Sequence, residues 1–286
     1  MTDQSHSEEE ERKLRTAGVF SRAAVTYDQL GPRFFSILGH RLVELAQIPQ
    51  GSTVLDVASG RGASLFAAAE KVGLSGRVVG IDLAEGMVEA LMPETCSWGL
   101  ANVEARLMDA EDLSFPDSTF DYVLCGFCLF FFPNLDRALS EMVRVLKPHG
   151  RLVSSTWGKE ESQWKWVDDL LESYLPEPSP SPEESQRSSP DFETPEGMKA
   201  IMRGAGLSGA RIVSDTPEFT YASEEEWWSI QWSHGMRGYL ERIEATLGNE
   251  ALAKFKTQAF ETLRGLKSHD GIHQRFPVLY TVASKP

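Results

Sequence analysis

Three aspartates stand at intervals in the first half of the chain, each at or near the end of a short apolar segment. Asp56 lies in the segment VLDVASGRG, Asp82 ends the next apolar segment, and Asp109 follows a third. Gly60 and Gly62 come just after Asp56, where glycines let the backbone turn tightly and let a ligand approach main-chain atoms. Any one such aspartate is typical of a helix cap or a turn, but three beside one glycine turn indicate a ligand site.

The arrangement of the acids indicates which ligand this turn would bind. A carboxylate at the end of the second strand, such as Asp82, can accept both hydroxyls of a ribose, and Asp109 can accept the exocyclic amine of an adenine. A dinucleotide would add a diphosphate, which prefers amide donors, and Leu65 stands where the dinucleotide fingerprint has its third glycine. Clustered carboxylates instead suit a ligand with a sulfonium and an ammonium group. The pattern predicts S-adenosylmethionine as the cofactor and disfavours NAD.

The segments around these residues predict the elements that position them. Strands rich in Val, Leu or Ile are predicted at 53–57, 77–82, 103–109, 120–127 and 150–157. Most of the intervening segments have apolar residues at helical spacing, and an earlier helix ends near Gln47. Strands that alternate with helices predict a mostly parallel sheet covered on both faces. Two later strands are predicted at 209–222 and 275–284.

The predicted domain organisation is a Rossmann-like core with helical additions. Residues 1–12 are acidic and polar and are expected to form a disordered tail, followed by an N-terminal helical segment over 13–50. The cofactor-binding domain is predicted over 51–222 and 272–286, with a flexible loop at 175–195 that is dense in Pro, Ser and Glu. The segment 223–271 has a helical pattern and is predicted to form a substrate cap.

The composition excludes several classes of partner. A net charge of −14 repels phosphate backbones and anionic membranes, so neither nucleic acid nor a membrane is expected as a partner. No apolar run reaches the length that spans a bilayer, and the acidic N-terminus does not resemble a secretory signal. Three cysteines are too few for a disulfide framework. We expect a cytoplasmic protein without a metal site, and the sequence leaves the oligomeric state open.

Four segments resemble, in order and spacing, the successive motifs of the class I S-adenosylmethionine-dependent methyltransferases. They are VLDVASGRG, VVGIDLAEGMV, LMDAEDLSFPDSTFDYVLCGFCLFFFPN and VLKPHGRLV. The resemblance is strongest to the branch of the ubiquinone and menaquinone methyltransferases and of many natural-product methyltransferases. It covers roughly residues 18–157 and the last strand. It implies an α/β, Rossmann-like, seven-stranded methyltransferase fold with an antiparallel last strand, N-terminal helices and a helical cap inserted before that strand.

The resemblance also implies a set of cofactor-binding residues. Ala58, Ser59 and Gly60 would meet the methionine part, together with Cys125 and Gly126 after the fourth strand. Asp82 would bind the ribose, Leu83 and Met87 would flank the adenine, and Asp109 and Ala110 would bind its edge. The segment SRAAVTYDQLG resembles the family segment that closes over the cofactor, which implies a contact from Tyr27. The predicted set is completed by Asp56, Gly62 and Glu111. Ala58 departs from the family pattern, which usually has glycine there.

The methyl acceptor is predicted to bind beneath the cap. Trp228 and Trp232 are four residues apart on one predicted helix and are expected to wall a pocket for a flat or apolar acceptor. Phe127 and Phe130 would add to that wall, and Arg237 would hold an acidic group of the substrate. His234 is the candidate general base. The alternatives are that the aromatic residues only pack the cap onto the sheet and that the histidine is structural.

These residues predict transfer of a methyl group to O, N or C of a small, aromatic or apolar acceptor by in-line displacement. A carbon-methylating enzyme of the quinone type is one variant. A methyltransferase fold that binds the cofactor without transferring methyl, as a cyclase or a regulator, is the first alternative, and an NAD-dependent oxidoreductase is the second. The Cys125-x-x-Cys128 pair resembles a redox motif, but its first cysteine ends a buried strand, which favours a packing role.

Overall fold

The computed structural model describes residues 2–97, 101–176 and 190–286, without the side chains of 2–7 and 96–97. The helices are Thr2–Ala23 (α1), Phe34–Ala46 (α2), Ala63–Val72 (α3), Glu85–Ser97 (α4), Leu135–Val145 (α5), Trp166–Tyr174 (α6), Pro195–Gly204 (α7), Glu224–Gln231 (α8), Arg237–Leu247 (α9) and Asn249–Leu266 (α10). The strands are Thr53–Val57 (β1), Arg77–Asp82 (β2), Val103–Leu107 (β3), Phe120–Gly126 (β4), Leu146–Trp157 (β5), Ser208–Asp215 (β6), Glu218–Tyr221 (β7), Lys267–Ser268 (β8), Gly271–Arg275 (β9) and Val278–Ser284 (β10).

A seven-stranded sheet forms the centre of the molecule. Its strand order is β3-β2-β1-β4-β5-β10-β6. Strands β1 to β5 pair in parallel, and β10 is antiparallel to both of its neighbours. The predicted Rossmann-like sheet with an antiparallel last strand is therefore confirmed. Its order reverses between β1 and β4, and ligands of open α/β sheets bind at the carboxyl ends of the strands at such a point.

Both faces of the sheet are buried, which explains why its central strands are continuously apolar. Successive residues of a strand point to opposite faces. On β1, Val54 joins a core that includes α2 and α3, whereas Leu55 and Val57 join a core that includes α5 and α7. Asp56 therefore points to the α2 and α3 face, directly below the glycine turn.

A second, three-stranded sheet, with the order β7-β9-β8, was not predicted. The predicted strands 209–222 and 275–284 each include a proline: Pro217 lies where the chain leaves the large sheet after β6, and Pro277 where it enters the large sheet before β10. Proline has no backbone N–H to donate and is poorly tolerated inside a sheet. Each predicted strand is therefore divided, and β7 and β9 form the small sheet. The helical pattern predicted to about residue 271 ends at Leu266.

The expected disordered tail at residues 1–12 is not observed, because the helix α1 begins at Thr2. Glu, Lys and Arg are good helix formers, so a run of them propagates a helix once one end is docked. The C-terminal half of α1 supplies that docking, since Ala17 packs with Ala84 and Met87 at the start of α4. Most of the flexible loop predicted at 175–195 lies outside the described residues.

The cap region packs onto the α2 and α3 face of the sheet. Trp227 and Ile230 of α8, Leu240 of α9 and Phe255 of α10 are buried in the same core as α2. None of the described helices combines the length and the apolarity that crossing a bilayer requires.

Candidate active site

The glycine turn between β1 and α3 has the tight geometry that its sequence predicts. Ala58, Gly60 and Gly62 all have positive φ, at 52°, 52° and 84°. The amide of Ser59 donates to the carbonyl of Ile81 (2.9 Å), which fixes the turn against β2. A side chain at Gly62 would meet the ring of Phe66 at 2.6 Å. Glycine is required there both by φ and by space.

The carboxylate of Asp82 connects this turn to the start of α4. One oxygen accepts the amide of Gly60 (2.8 Å) and the other accepts the amide of Ala84 (2.8 Å). Burial raises the pKa of Asp82, and the backbone hydrogen bonds act in the opposite direction. A carboxylate has about four acceptor positions, so acceptor capacity remains for a ligand in the adjoining cavity.

Asp56 is more deeply buried, with 2% of its surface exposed. Its Oδ2 atom has no hydrogen-bond partner in the described part of the chain. Burial, followed by the negative charge of Asp82, raises the pKa of Asp56 to about 8. A buried carboxyl oxygen without a partner is costly, and a cationic ligand beside it would lower that cost.

Asp109 and Glu111 are joined by a lysine that the sequence did not indicate. The ammonium group of Lys13, on α1, lies 2.7 Å from Asp109 and 2.8 Å from Glu111. Asp109 also accepts the amide of Glu111 (2.8 Å), and Glu111 accepts the amide of Asn134 (3.1 Å). The N-terminal helix is thereby attached to the end of β3.

A cavity of about 530 Å³ extends from this acidic end to an aromatic end below α8. A second cavity of about 370 Å³ adjoins the first at the glycine turn. The two share Tyr27, Phe35, Ala58, Gly60, Gly126 and Phe127. Volumes of this size are typical of small-molecule sites. The two cavities together are lined by nearly all of the predicted cofactor residues: Tyr27, Asp56, Ala58, Ser59, Gly60, Gly62, Asp82, Leu83, Met87, Asp109, Ala110, Glu111 and Gly126.

Cys125 is the predicted cofactor residue that lines neither cavity. Its side chain is fully buried in the α5 and α7 core, because alternation along β4 directs it away from the face that Gly126 borders. Its sulfur lies 2.7 Å from that of Cys128, and both thiols are free. Burial raises the pKa of Cys128 well above its ordinary value. These features favour packing over redox chemistry, because reactive thiols have a lowered pKa.

Phe127, Phe130 and His234 line the first cavity as predicted, but three of the predicted acceptor residues do not. Trp228 packs against Phe255 of α10, with ring centroids 6.2 Å apart. Trp232 stacks edge-on against Trp228, also at 6.2 Å. The prediction had the wrong face of α8, since the side chains of Trp227 and Gln231 line the cavity.

Arg237 is also absent from the cavity lining. Its guanidinium donates to Glu241 (2.7 Å) and to the carbonyl of Trp232 (3.0 Å). Glu241 in turn accepts from Arg22 of α1 (2.9 Å). The predicted contact with an acidic substrate group is therefore replaced by an ion pair within α9, whose Glu241 also pairs with Arg22 of α1.

The aromatic end is built largely from residues that the sequence did not single out. They are Phe34, Phe35, Trp157, Tyr221, Trp227 and Phe276. Trp157 and Phe127 pack with ring centroids 4.2 Å apart, and Phe34 stacks on Phe276 at 5.2 Å. Trp157 could have been found, because it ends β5 at the same edge of the sheet as Asp82 ends β2.

His234 lies among these rings. Its imidazole contacts Phe34 and Phe35 edge-on, at 6.1 and 6.4 Å. Its Nδ1 accepts the amide of Met236 at 3.3 Å. Burial lowers the pKa of His234 to about 4, so the ring is neutral at ordinary pH.

Comparison with known proteins agrees with this geometry. A family model described as a methyltransferase domain matches residues 54–150. Nocamycin O-methyltransferase of Saccharothrix syringae is 33% identical over 274 residues, covering 92% of this chain and 95% of that protein. The chain belongs to the S-adenosylmethionine-dependent methyltransferases. It is an enzyme that acts on small molecules, and its cofactor is S-adenosylmethionine.

Two further comparisons extend this methyltransferase match. A ubiquinone/menaquinone biosynthesis C-methyltransferase of Paraburkholderia xenovorans is 34% identical over 220 residues, covering 71% of this chain and 88% of that protein. Among solved structures, the YcgJ protein of Bacillus subtilis has a TM-score of 0.57 at 20% identity, covering 87% of this chain and 98% of that one. At that identity the structural match supports the fold alone.

The residues of the methyltransferase site fit a positively charged adenosyl donor. Asp82, which has acceptor capacity left, lines the first cavity, and Asp56, with its unpartnered oxygen, lines the second. A diphosphate against this turn would face both carboxyl groups, which disfavours NAD. The described residues include no group of three or more His, Cys, Asp or Glu that could hold a metal ion.

Replacement of Ala58 by glycine is expected to stabilise this methyltransferase. Ala58 has a φ of 52°, a left-handed conformation that costs an L-residue about 1–2 kcal/mol. Glycine removes that cost but adds about 0.5–1 kcal/mol of conformational entropy to the unfolded chain. We expect the free energy of unfolding in urea to rise by about 0.5–1 kcal/mol. Ala67→Gly, within α3, is the matched control and should lower it by at least about 1 kcal/mol; equal losses in both variants would contradict the prediction.

Proposed function

We propose that this enzyme transfers the methyl group of S-adenosylmethionine to O, N or C of a small, flat, largely apolar acceptor by in-line displacement. The observation that carries the proposal is the continuity of the larger cavity. A single cavity is lined by Asp82 and Asp109 at one end, by Gly126, and by Trp157 at the other end. A donor at the acidic end and an acceptor at the aromatic end would therefore meet beside Gly126 and Phe127.

Each group of residues has a separate role in this proposal. Asp82 holds the ribose, Leu83 and Met87 flank the adenine, and the edge of the ring meets Asp109, Ala110 and Glu111. The methionine part lies along Ala58 to Gly62, between Asp56 and Gly126, and Tyr27 covers it. The stacking of Tyr27 on Phe35, at 5.0 Å and 11°, supports that covering role because Phe35 belongs to the aromatic end.

The main contribution of the protein to this reaction is to align the acceptor with the methyl group. S-adenosylmethionine supplies a methyl group already activated on a sulfonium. The enzyme gains most by holding the acceptor in line with that carbon and by excluding water. The packed rings of Phe127 and Trp157 support both roles, since rigid aromatic walls orient a flat molecule and leave little room for solvent.

The test is an acceptor screen with radiolabelled S-adenosylmethionine against small aromatic acids, phenols and ketones. Calorimetry with S-adenosylhomocysteine and with NAD precedes it. We expect S-adenosylhomocysteine to bind, NAD not to bind, and label to enter at least one compound. Binding without labelling of any acceptor would favour the non-methylating alternative, and NAD binding would contradict the proposed cofactor site.

Trp157 and Trp228 offer a matched pair for the location of the acceptor site. Trp157→Leu removes a wall of the cavity and is expected to raise the KM for the acceptor about tenfold, corresponding to about 1.4 kcal/mol of lost ring contact. Trp228→Leu removes a similar ring that packs on α10 outside the cavity and should leave KM within about twofold. The reverse order of effects would place the acceptor under the other face of α8.

A further inference from the structure

A histidine and two glutamines line the aromatic end of the cavity, and each makes one hydrogen bond within the chain. His234 accepts the amide of Met236 at 3.3 Å. The amide nitrogen of Gln231 donates to the carbonyl of Trp227 at 3.1 Å. The amide oxygen of Gln274 accepts the hydroxyl of Tyr221 at 3.1 Å. Because each bond occupies one polar end of its side chain, the other end remains as either a hydrogen-bond donor or a hydrogen-bond acceptor.

For His234 the hydrogen bond fixes the tautomer. A neutral imidazole carries one proton, and the nitrogen that accepts a hydrogen bond is the one without it. Since Nδ1 accepts from Met236, the proton is on Nε2, which has no partner in the described part of the chain. The ring therefore presents a donor to the cavity and has no free lone pair with which to take a proton.

No charged group alters this state of His234. The rings packed against it, Phe34 and Phe35, are apolar, and burial is the cause that lowers its pKa. The ionisable groups that line the same cavity are Lys13, Tyr27, Asp82, Asp109, Glu111, Cys128, Glu160, Asp168, Tyr221, Tyr239 and Arg275. Lys13, Asp109 and Glu111 are joined to one another at the opposite end. Without a ligand, the imidazole is therefore expected to stay neutral.

The two glutamines complete the pattern. Gln274 uses its oxygen on Tyr221, so its NH₂ group is the end that remains to donate. Gln231 uses its NH₂ group on Trp227, so its oxygen is the end that remains to accept. These three side chains thus offer two neutral donors, at His234 and Gln274, and one neutral acceptor, at Gln231.

We propose that His234 and Gln274 recognise oxygens of the methyl acceptor by donating hydrogen bonds to them, and that His234 does not serve as the general base that its sequence position suggested. The inference rests on the proposed function, because it assigns the acceptor to this end of the cavity. The acceptor class that matches is a flat aromatic compound with carboxylate, carbonyl or phenolate oxygens on its edge. Donation to such an oxygen positions the ring and favours an anionic acceptor over an amine.

The tautomer is tested directly by NMR of protein labelled with ¹⁵N-histidine, with His234→Gln used to assign the signal. The long-range ¹H–¹⁵N pattern distinguishes a proton on Nε2 from one on Nδ1. We expect the Nε2–H form, unchanged between pH 8 and pH 6. The Nδ1–H form, or titration of His234 within that range, would overturn the proposal without reference to any activity.

Recognition of oxygen is tested with two probes of similar shape, 2-naphthoate and 2-methylnaphthalene, added to protein saturated with S-adenosylhomocysteine. Tryptophan fluorescence reports binding, since Trp157 and Trp227 line the site. His234→Phe should weaken binding of 2-naphthoate about tenfold or more, the expected loss for a hydrogen bond to a charged oxygen, and leave 2-methylnaphthalene within about twofold. His234→Gln retains an N–H donor, so its affinity for each probe should stay within about threefold of the wild-type value.

The fully exposed side chain of His269 provides the control, because His269→Phe should leave both affinities unchanged. Absence of 2-naphthoate binding to the wild type, or equal losses for both probes in His234→Phe, would overturn the proposal. Calorimetry with S-adenosylhomocysteine separates the two levels of inference. If that ligand does not bind, the proposed function fails; if it binds and oxygen is not preferred, only the role of His234 and Gln274 fails.

Discussion

Asp82→Ala is expected to weaken the binding of S-adenosylhomocysteine at least tenfold and up to about 100-fold. The carboxylate accepts the amides of Gly60 and Ala84 while it faces the larger cavity. In the proposed binding mode, its removal would take acceptor positions from the ribose and would also release the glycine turn beside the methionine part. A hydrogen bond to a charged group is worth about 1.5–3 kcal/mol, which corresponds to this range of affinity. Calorimetry on the purified variant measures the effect.

Two further variants make the Asp82 result specific. Asp112→Ala removes an exposed carboxylate close to Asp109 in sequence and should leave the dissociation constant unchanged. Asp82→Asn keeps the shape of the side chain but directs an NH₂ group at one of the two backbone amides. Its dissociation constant for S-adenosylhomocysteine should therefore be close to that of the alanine variant. An unchanged affinity in Asp82→Ala, with the fold retained by circular dichroism, would mean that the ribose binds elsewhere.

The central sheet could be predicted because its physical signal is local. Each strand is a short apolar run bounded by turn residues, and a strand buried on both faces needs no partner in sequence to be recognised. The aspartates followed from the same signal, since the carboxyl ends of parallel strands meet at one edge. Asp56, Asp82 and Asp109 were identified from their position at strand ends, without knowledge of the strand order.

The acceptor end was harder to predict because it depends on the rotation of one helix. Trp227 and Trp228 are neighbours, and adjacent residues of a helix point about 100° apart. The sequence gives both the same aromatic character, so the packing of α8 against α10 decides which of them lines the cavity. Lys13 illustrates a second limit, because its partner Asp109 is 96 residues away and the pairing depends on how α1 docks.

The small sheet was missed for a related reason. Its strands are short, and β8 has only two residues, which leaves no periodic pattern to read. Pro217 and Pro277 carried the useful signal, since each interrupts an otherwise continuous apolar strand. The consequence for function is direct, because the hairpin of β9 delivers Gln274 and the residues beside it, Arg275 and Phe276, to the acceptor end.

Asp56, at the acidic edge of the sheet, is expected to make the stability of the ligand-free protein depend on pH. The folded state gives Asp56 a pKa of about 8, and an unfolded chain gives aspartate about 3.9. Between these values the folded state binds more protons, so the free energy of unfolding falls as pH rises, by at most about 1.4 kcal/mol per pH unit. Asp56→Asn removes this dependence. In urea unfolding without cofactor, the variant should be more stable than the wild type by a few kcal/mol at pH 8 and similar to it near pH 4.

The sign of this difference separates a buried, destabilising carboxyl group from a stabilising one. If Asp56 were held by a partner that favours its charge, its folded pKa would be lowered and Asp56→Asn would lose stability at pH 8. Asp112→Asn, at an exposed position, should leave the pH dependence unchanged. In the proposed binding mode, S-adenosylmethionine places positive charge near Asp56 and favours its ionised form, so a saturating concentration should reduce the difference between wild type and variant at pH 8. A difference that persists undiminished with the cofactor bound would show that Asp56 does not respond to its charge.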